Sequence, residues 1–326
     1  MGKNKKGGLH IGLLTVSQMV SGHSNMSGDT SSKIYKKKSS SARNMLVKAI
    51  RELGHTPVSL FCDDCQLFFE TKDSKIMYKG KKMKKCDILI SRVGSSLGFD
   101  VELSTVKQFQ LMGMPVINKY LAVARAKNKL RSMQMLTKAK IRVPNTVVVR
   151  RFEYLDQAIK QVGGYPVVIK SAFGMQGTGV AIIESRRSLY SALDVLWRYG
   201  DANILLIQEY VAESDNSDYR AFVIGDKVVA AMKRKAKKGD FRSNVHQGGD
   251  VESIELTEEE RKIAVRSTKL MGLDYSGVDI MRSSNGPLVV EVNANPGFAG
   301  INLVTSIDVP AALVDYTVKK YHKLTK

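Results

Sequence analysis

Cysteine is scarce in this chain. There are three in 326 residues, Cys62, Cys65 and Cys86. So few build no disulfide framework, which fits a reducing, cytoplasmic setting. Cys62 and Cys65 form a lone CxxC with no second pair, and a structural role for them outweighs a metal or redox one. No apolar run reaches the roughly 18 to 20 residues needed to cross a bilayer, so no membrane span is expected. The basic start MGKNKKGG is followed by a short apolar segment, HIGLLTV, without a small-residue cleavage site, so a secretory leader is not expected either. Lys6 stands where a myristoylation motif requires Ser or Thr. No Gly-rich dinucleotide fingerprint follows the first strand. Nor does a Ser–His–Asp or Cys–His arrangement offer a side-chain nucleophile.

Apolar residues make up 43% and charged residues 25% of the chain, as in ordinary globular proteins. Lysine and arginine outnumber the acids, 51 to 31, for a net charge of +20. That balance suits a nucleic-acid or ribosomal partner, or an acidic substrate or product, and equally a solvated basic surface. The length is enough for two or three domains. Residues 9–16 read as a strand, 21–40 as a basic Gly/Ser/Lys loop, and a helix begins near Ser41 and stops at Gly54. TPVSLF, CDILISRVG and PVINKY read as further strands, with DVELSTVKQFQLMGM as a helix. This strand–helix alternation predicts a small α/β domain with a mainly parallel sheet to about residue 120. LAVARAKNKLRSMQMLTKAKI then reads as one basic helix.

The stretch LVVEVNANPGF poses the chemical question. Leu288, Val289, Val290 and Val292 favour a strand. Glu291 and Asn293 interrupt it two residues apart, on one face. Two oxygen ligands on a strand face suit a hard cation such as magnesium; an edge strand with a polar outer face is the equal alternative. SGVDIMR and the turn SSNG precede it, so the two strands form a hairpin that can set Asp279 beside Glu291. A second motif, GMQGTG, joins two strands rather than a strand and a helix, which excludes a P-loop. Its bare amides can still fold over phosphates, although a long hairpin turn would use the same glycines. Lys170 at the end of the preceding Val-Val-Ile strand favours the phosphate reading, because a lysine there needs an anionic partner. NILLIQEYV ends in Gln208-Glu209-Tyr210-Val211, whose backbone can pair with an adenine edge. Arg242 lies in the basic loop GDFRSN, where a surface arginine is the simple alternative. Together these residues point to a magnesium–nucleotide site.

The stretches ARAKNKLRSMQML, IKSAFGMQGTGV, QEYV, KAKKGDFRSNVHQGG, MGLDYSGVDIMR and VVEVNANPGFAGI resemble the RimK-type glutamate ligases of the ATP-grasp superfamily, from about residue 76 to 320. The resemblance implies an ATP-grasp fold of two α+β lobes closing on ATP, preceded by an α/β pre-ATP-grasp domain. It divides the chain into 1–120, a central lobe 121–206 and a C-terminal lobe 207–326. It implies that Lys129 and Lys170 contact phosphates, with Gly174, Gln176, Gly177, Thr178 and Gly179 in the covering loop. Glu209 and Tyr210 would lie at the adenine hinge and Asp218 near the ribose. Arg242, Ser243 and Asn244 would reach the triphosphate, and Asp279, Glu291 and Asn293 would bind two magnesium or manganese ions. The catalytic set would be Lys170, Arg242 and Arg220, the last holding the acceptor carboxylate, while His246 could line the amine pocket or equally be a satisfied loop histidine. The lysine-rich 21–40 segment departs from the family and leaves the acceptor open.

The resulting expectation is a cytoplasmic, ATP-dependent ligase, acting as a homo-oligomer. It would add L-glutamate to a protein C-terminus, of ribosomal type, or to a polyglutamate tail. A ligase acting on a small molecule or carrier protein is the alternative within the enzyme class. A non-enzymatic RNA- or ribosome-binding protein would explain the charge but not Asp279, Glu291 and Asn293. It also predicts aromatics among the lysines, where only Tyr35 stands. RNA contact could accompany catalysis.

Overall fold

A computed structural model describes residues 7–16, 31–71, 74–93, 99–171, 180–198, 204–236, 250–298 and 300–326. The chain opens with β1 (His10–Thr15), α1 (Ser31–Glu52) and β2 (Thr56–Phe61). A meander of β3 (Cys65–Phe68), β4 (Lys75–Tyr78) and β5 (Lys81–Lys82) precedes β6 (Ile88–Arg92), α2 (Phe99–Leu111) and β7 (Val116–Ile117). The sheet order β2-β1-β6-β7 is parallel throughout, as the strand–helix alternation predicts. Of the basic loop expected over 21–40, residues 21–30 lie outside the described residues, and residues 31–40 are instead the first turns of α1. That stretch has no Gly or Pro, and its lysines favour a helix.

The expected single basic helix is two, α3 (Tyr120–Lys127) and α4 (Lys129–Lys138). Asn128 between them is extended (φ −89°, ψ 104°) and caps α4 by accepting a hydrogen bond from the Arg131 amide. Then come β8 (Thr146–Val149), α5 (Leu155–Gln161), β9 (Val167–Ser171), β10 (Val180–Ile183), α6 (Arg186–Arg198) and β11 (Leu205–Glu209). Their antiparallel sheet runs β10-β9-β11-β8. Val167, Ile169, Leu205 and Ile207 turn to one face and bury against Leu155, Ile159, Leu189 and Leu193 of α5 and α6. Period-2 alternation then leaves Lys170 and Gln208 on the other face.

The last unit holds β12 (Ser217–Ile224), β13 (Lys227–Lys235), β14 (Asp250–Ser253), α7 (Glu258–Met271), β15 (Tyr275–Ser283), β16 (Gly286–Asn293), α8 (Ile301–Val304) and α9 (Val309–Leu324). The β12–β13 hairpin and α7 have no counterpart in the elements read from sequence. The sheet order is β14-β13-β12-β15-β16. Helix α7 is capped by a reciprocal Thr257–Glu260 box, carries three acids in its first turn and ends at Gly272 in the left-handed region (φ 79°). Ala264 and Met271 of α7 share a core with Ala221, Val278, Ile280 and Val292 on one sheet face. On the opposite face Phe222, Ala230, Met232 and Tyr275 pack with Ile11, Leu13, Ile88 and Ile90 of the first sheet and with Leu313 of α9.

Asn118 stitches these units together. Its Nδ2 donates to the carbonyls of Tyr275 (2.9 Å) and Ala294 (3.0 Å), and its Oδ1 accepts from the amides of Asp274 (2.7 Å) and Tyr275 (3.1 Å). The Tyr275 hydroxyl donates to the Ser91 carbonyl at 2.8 Å. Thus the end of the first sheet is fixed against the segment that follows β16. Among the described residues no helix is long and apolar enough to cross a membrane.

Candidate active site

The β15–β16 hairpin places its oxygen groups by a one-residue slip. Ile280 pairs with Val289 but Asp279 with Glu291, so Val290 is an extra residue on β16. Without that bulge Asp279 would face Val290, and Glu291 would turn toward the apolar face. With it, Asp279, Glu291 and Asn293 share one face, as the sequence pattern suggests. Asn293 lies opposite Gly277. A Cβ at Gly277 would come within 2.9 Å of Pro296 Cβ and 3.4 Å of Arg220 Cδ, so glycine permits the chain after β16 to fold close.

Asp279 is 5% exposed and both its oxygens accept from arginine. Arg220 Nε and Nη2 reach it at 2.7 Å each, and Arg234 Nη2 at 2.9 Å. Arg234 also clamps Asp218, at 2.5 and 2.6 Å. Two arginines and two aspartates therefore form one buried, charge-balanced network. Burial would raise the Asp279 carboxyl, but Arg220 and Arg234 hold it below the usual carboxylate range. Two residues expected to meet ligands thus have partners within the protein. Arg220 lies directly across from Asp279 in the register and pairs with it. Asp218 pairs with Arg234, which faces it across β12 and β13. Sequence reasoning missed Arg234, although it shares the buried alternate positions of β13 with Ala230 and Met232.

Across the site, Lys170 Nζ donates to Gln208 Oε1 at 2.6 Å, and Gln208 Nε2 donates to Thr146 Oγ1 at 2.8 Å. The lysine is thereby held in one position at the sheet surface. Burial draws its ammonium down to about 8, against the attraction of Glu291 and Asp279 and with the repulsion of Lys129. Lys127 is also lowered, first by burial and then by Lys129, while Glu291 and Glu102 oppose the shift. Glu291 thus attracts both Lys127 and Lys170, and Lys129 repels both. Lys127 was not among the residues singled out from sequence.

Glu209 and Tyr210 leave β11 as the link to β12. Glu209 Oε2 accepts from Asn145 Nδ2 at 2.6 Å, and the Tyr210 hydroxyl donates to Asn216 Oδ1 at 2.9 Å. Both line an open cleft of about 1210 Å³ with Arg142, Tyr165 and the Ser283–Asn285 turn. Lys170, Asp279 and Glu291 do not line that cleft. Gly174, Gln176, Gly177, Thr178, Gly179, Arg242, Ser243, Asn244 and His246 lie outside the described residues.

The donor set fits a hard divalent cation by type: two carboxylates and an amide, all oxygen, on one face of the β15–β16 hairpin, with the Asp279 oxygens already accepting from Arg220 and Arg234. Asn293 Oδ1 accepts only the Asn295 amide (2.9 Å) among the described residues, which leaves it a lone pair to give. Among the described residues no three His, Cys, Asp or Glu side chains gather into a metal site. Cys62, Cys65 and Cys86 form no disulfide, and burial first raises each of them, Cys65 to about 12, with Cys65 and then acids adding to it at Cys62 and acids alone at Cys65 and Cys86, which disfavours the thiolate.

Comparison with known proteins gives the class. The RimK-like ATP-grasp domain matches residues 126–317 and the RimK pre-ATP-grasp domain residues 34–123. A protein of Maridesulfovibrio salexigens named probable alpha-L-glutamate ligase is 42% identical over 276 residues, covering 85% of this chain and 91% of that one. Among solved structures, the ATP-grasp ligase PsnB complexed with minimal precursor superposes with a TM-score of 0.69 at 20% identity, over 96% of this chain and 99% of its own. PsnB has also been solved with Mg and ADP. The RimK domain ATP-grasp protein of Sphaerobacter thermophilus gives 0.69 at 18% identity, over 95% and 99%. The chain belongs to the RimK-like ATP-grasp family and has the ATP-grasp fold. It is a ligase of that family, forming amide bonds.

Proposed function

We propose that this ligase uses ATP to join L-glutamate to the C-terminal carboxylate of a protein, a ribosomal protein tail in the first instance. The observation that carries the reading is the 42% identity, over most of both chains, to a protein named as an alpha-L-glutamate ligase. The chemistry of the site agrees with it. The acceptor carboxylate attacks the γ-phosphate of ATP and becomes an acyl phosphate; the amine of glutamate then displaces phosphate and forms the amide. The first step gathers negative charge, and Lys170, Lys127 and Lys129 offset it from one side. Asp279, Glu291 and Asn293 would hold two magnesium ions, or manganese in their place, which neutralise phosphate charge when bound. Arg242 would help offset the same charge, and a loop such as 173–179 closing as a lid would keep water from the acyl phosphate. The net charge of +20 suits an acceptor that grows more acidic with each addition. The division at residues 120 and 206 and a cytoplasmic setting belong to the same reading.

The test is to incubate the protein with ATP, magnesium and L-glutamate, with and without a peptide ending as a ribosomal protein does, and to weigh the products by mass spectrometry. A ladder of glutamyl additions that requires the peptide supports the reading. ADP release without a ladder moves the search to other acids and amines. No ADP under any of these conditions overturns it.

A further inference from the structure

The first sheet has a switch point. β1 pairs with β2 on one side and β6 on the other. The helix after β1 packs on one face through Leu46 and Ile50, and the helix after β6 on the other through Val106 and Phe109. In open parallel sheets the crevice at the carboxyl ends of two such strands is where ligands bind. Thr15 of β1 and Arg92 of β6 are register partners at that end.

Arg92 is unusual there. Ile88 and Ile90 form an apolar stripe on the face that packs against the C-terminal lobe, and Arg92 takes the third place on it. It is 8% exposed. Its Nη2 donates to the Pro296 carbonyl at 2.9 Å, and its guanidinium carbon lies 4.5 Å from the centre of the Phe298 ring. Pro296 is three residues beyond Asn293, so the guanidinium stands at the end of the strand that bears the oxygen ligands. Nη1 is buried and makes no hydrogen bond. Asn295 Oδ1, on the residue before Pro296, is also buried without a partner. Among the described residues no carboxylate pairs with Arg92. A buried guanidinium keeps its charge, and a charge without a counter-ion is costly to bury. A ligand carboxylate would supply the missing counter-ion, and the planar guanidinium matches its geometry.

We propose that Arg92 binds one of the two carboxylates of the amino-acid substrate, neither of which reacts, and so helps select which amino acid is ligated. The proposal rests on the glutamate-ligase reading and adds to it a specificity residue contributed by the first domain.

The experiment measures initial rates for the full chain and for Arg92→Gln and Arg92→Lys, varying L-glutamate and ATP separately, with thermal unfolding recorded for each. The amide analogues L-glutamine and glutamate α-amide are run beside glutamate. The expected result is a rise in KM for glutamate of about 10- to 100-fold in Arg92→Gln, the size of a hydrogen bond to a charged group. KM for ATP should stay within about twofold, and Arg92→Lys should fall between. One of the two amides should be a poor substrate for the unaltered protein and lose nothing further in the variant. If Arg92→Gln does not fold, Arg92→Lys carries the same comparison. An unchanged KM for glutamate in a folded variant overturns the inference, as do equal rises for glutamate and ATP. An unaltered protein that ligates no glutamate overturns the functional reading and this inference with it. One that does so while the variants keep its KM overturns this inference alone.

Discussion

Asp279 and Glu291 stand opposite each other across the β15–β16 ladder, yet one is buried between two arginines and the other is exposed. The bulge at Val290 makes them neighbours, while the Arg220–Asp279–Arg234–Asp218 network makes them unequal. Glu291→Gln should therefore leave stability within about 0.5 kcal/mol, because the side chain is exposed. Asp279→Asn strands two buried guanidinium groups with one carboxylate and should cost about 3–5 kcal/mol. Both should lower ligation on the order of 10²- to 10³-fold, the size expected when a group that stabilises transition-state charge is lost. Urea unfolding beside a ligation assay separates the two effects. Full activity in a folded Glu291→Gln would remove this residue from the site.

Lys170 makes a prediction about pH. Its ordinary value is 10.5, and burial brings it to about 8 in the folded chain. Between those values the unfolded chain keeps a proton that the folded chain has released, so this group makes folding more favourable as pH rises through the window. If Lys170 contacts the ATP phosphates, binding runs the other way, because the phosphates then require the charged ammonium. Above about pH 8 the apparent affinity for ATP should fall, approaching about tenfold per pH unit as the charged fraction shrinks. Lys170→Arg stays charged and should flatten the profile. A titration of ATP binding across this range decides it, and an unaltered protein with a flat profile would exclude Lys170 from phosphate binding.

What could be read in the sequence was local. Glu291 and Lys170 stood out because each breaks a run of β-branched residues, and the strand–helix alternation of the first domain follows from patterning alone. Pairing could not be read. Arg220 and Asp218 look like single charges in SDYRAF, and only the register with β15 and β13 shows whom they meet. The Val290 bulge is invisible because an apolar residue occupies it. The 121–141 helix was read as continuous because Asn128 is tolerated within helical patterns; its extended backbone alone marks the break. Arg92 closes the apolar run DILISR, a signal that alternation would have caught.

Arg234 is the residue on which the network turns. It is 1% exposed and contacts both aspartates. Arg234→Met keeps volume but leaves Arg220 alone against Asp218 and Asp279. The loss should be about 3–5 kcal/mol, read as a lower urea midpoint at unchanged slope. Adding Asp218→Asn restores one cation to one carboxylate and should recover part of that loss, the two sites being directly coupled. Additive losses in the double variant would show that the four groups do not act as one network.

Asn118 tests whether the first domain holds the site in place. Its side chain satisfies four backbone groups, two amides and two carbonyls, on Asp274, on Tyr275 at the start of β15 and on Ala294 just after β16. Asn118→Leu has nearly the same size but strands all four, and should cost about 3–5 kcal/mol. Ligation should fall even well below the unfolding transition, because Ala294 directly follows Asn293 and loses its anchor. Asn118→Asp keeps the acceptor and replaces the donor with an oxygen facing two carbonyls. Protonation lets that oxygen donate, so this variant should regain stability as pH falls, opposite in sign to a salt-bridged acid. Urea midpoints for the two variants at several pH values check the claim. If Asn118→Asp loses stability on acidification as the unaltered chain does, the side chain is not donating to these carbonyls.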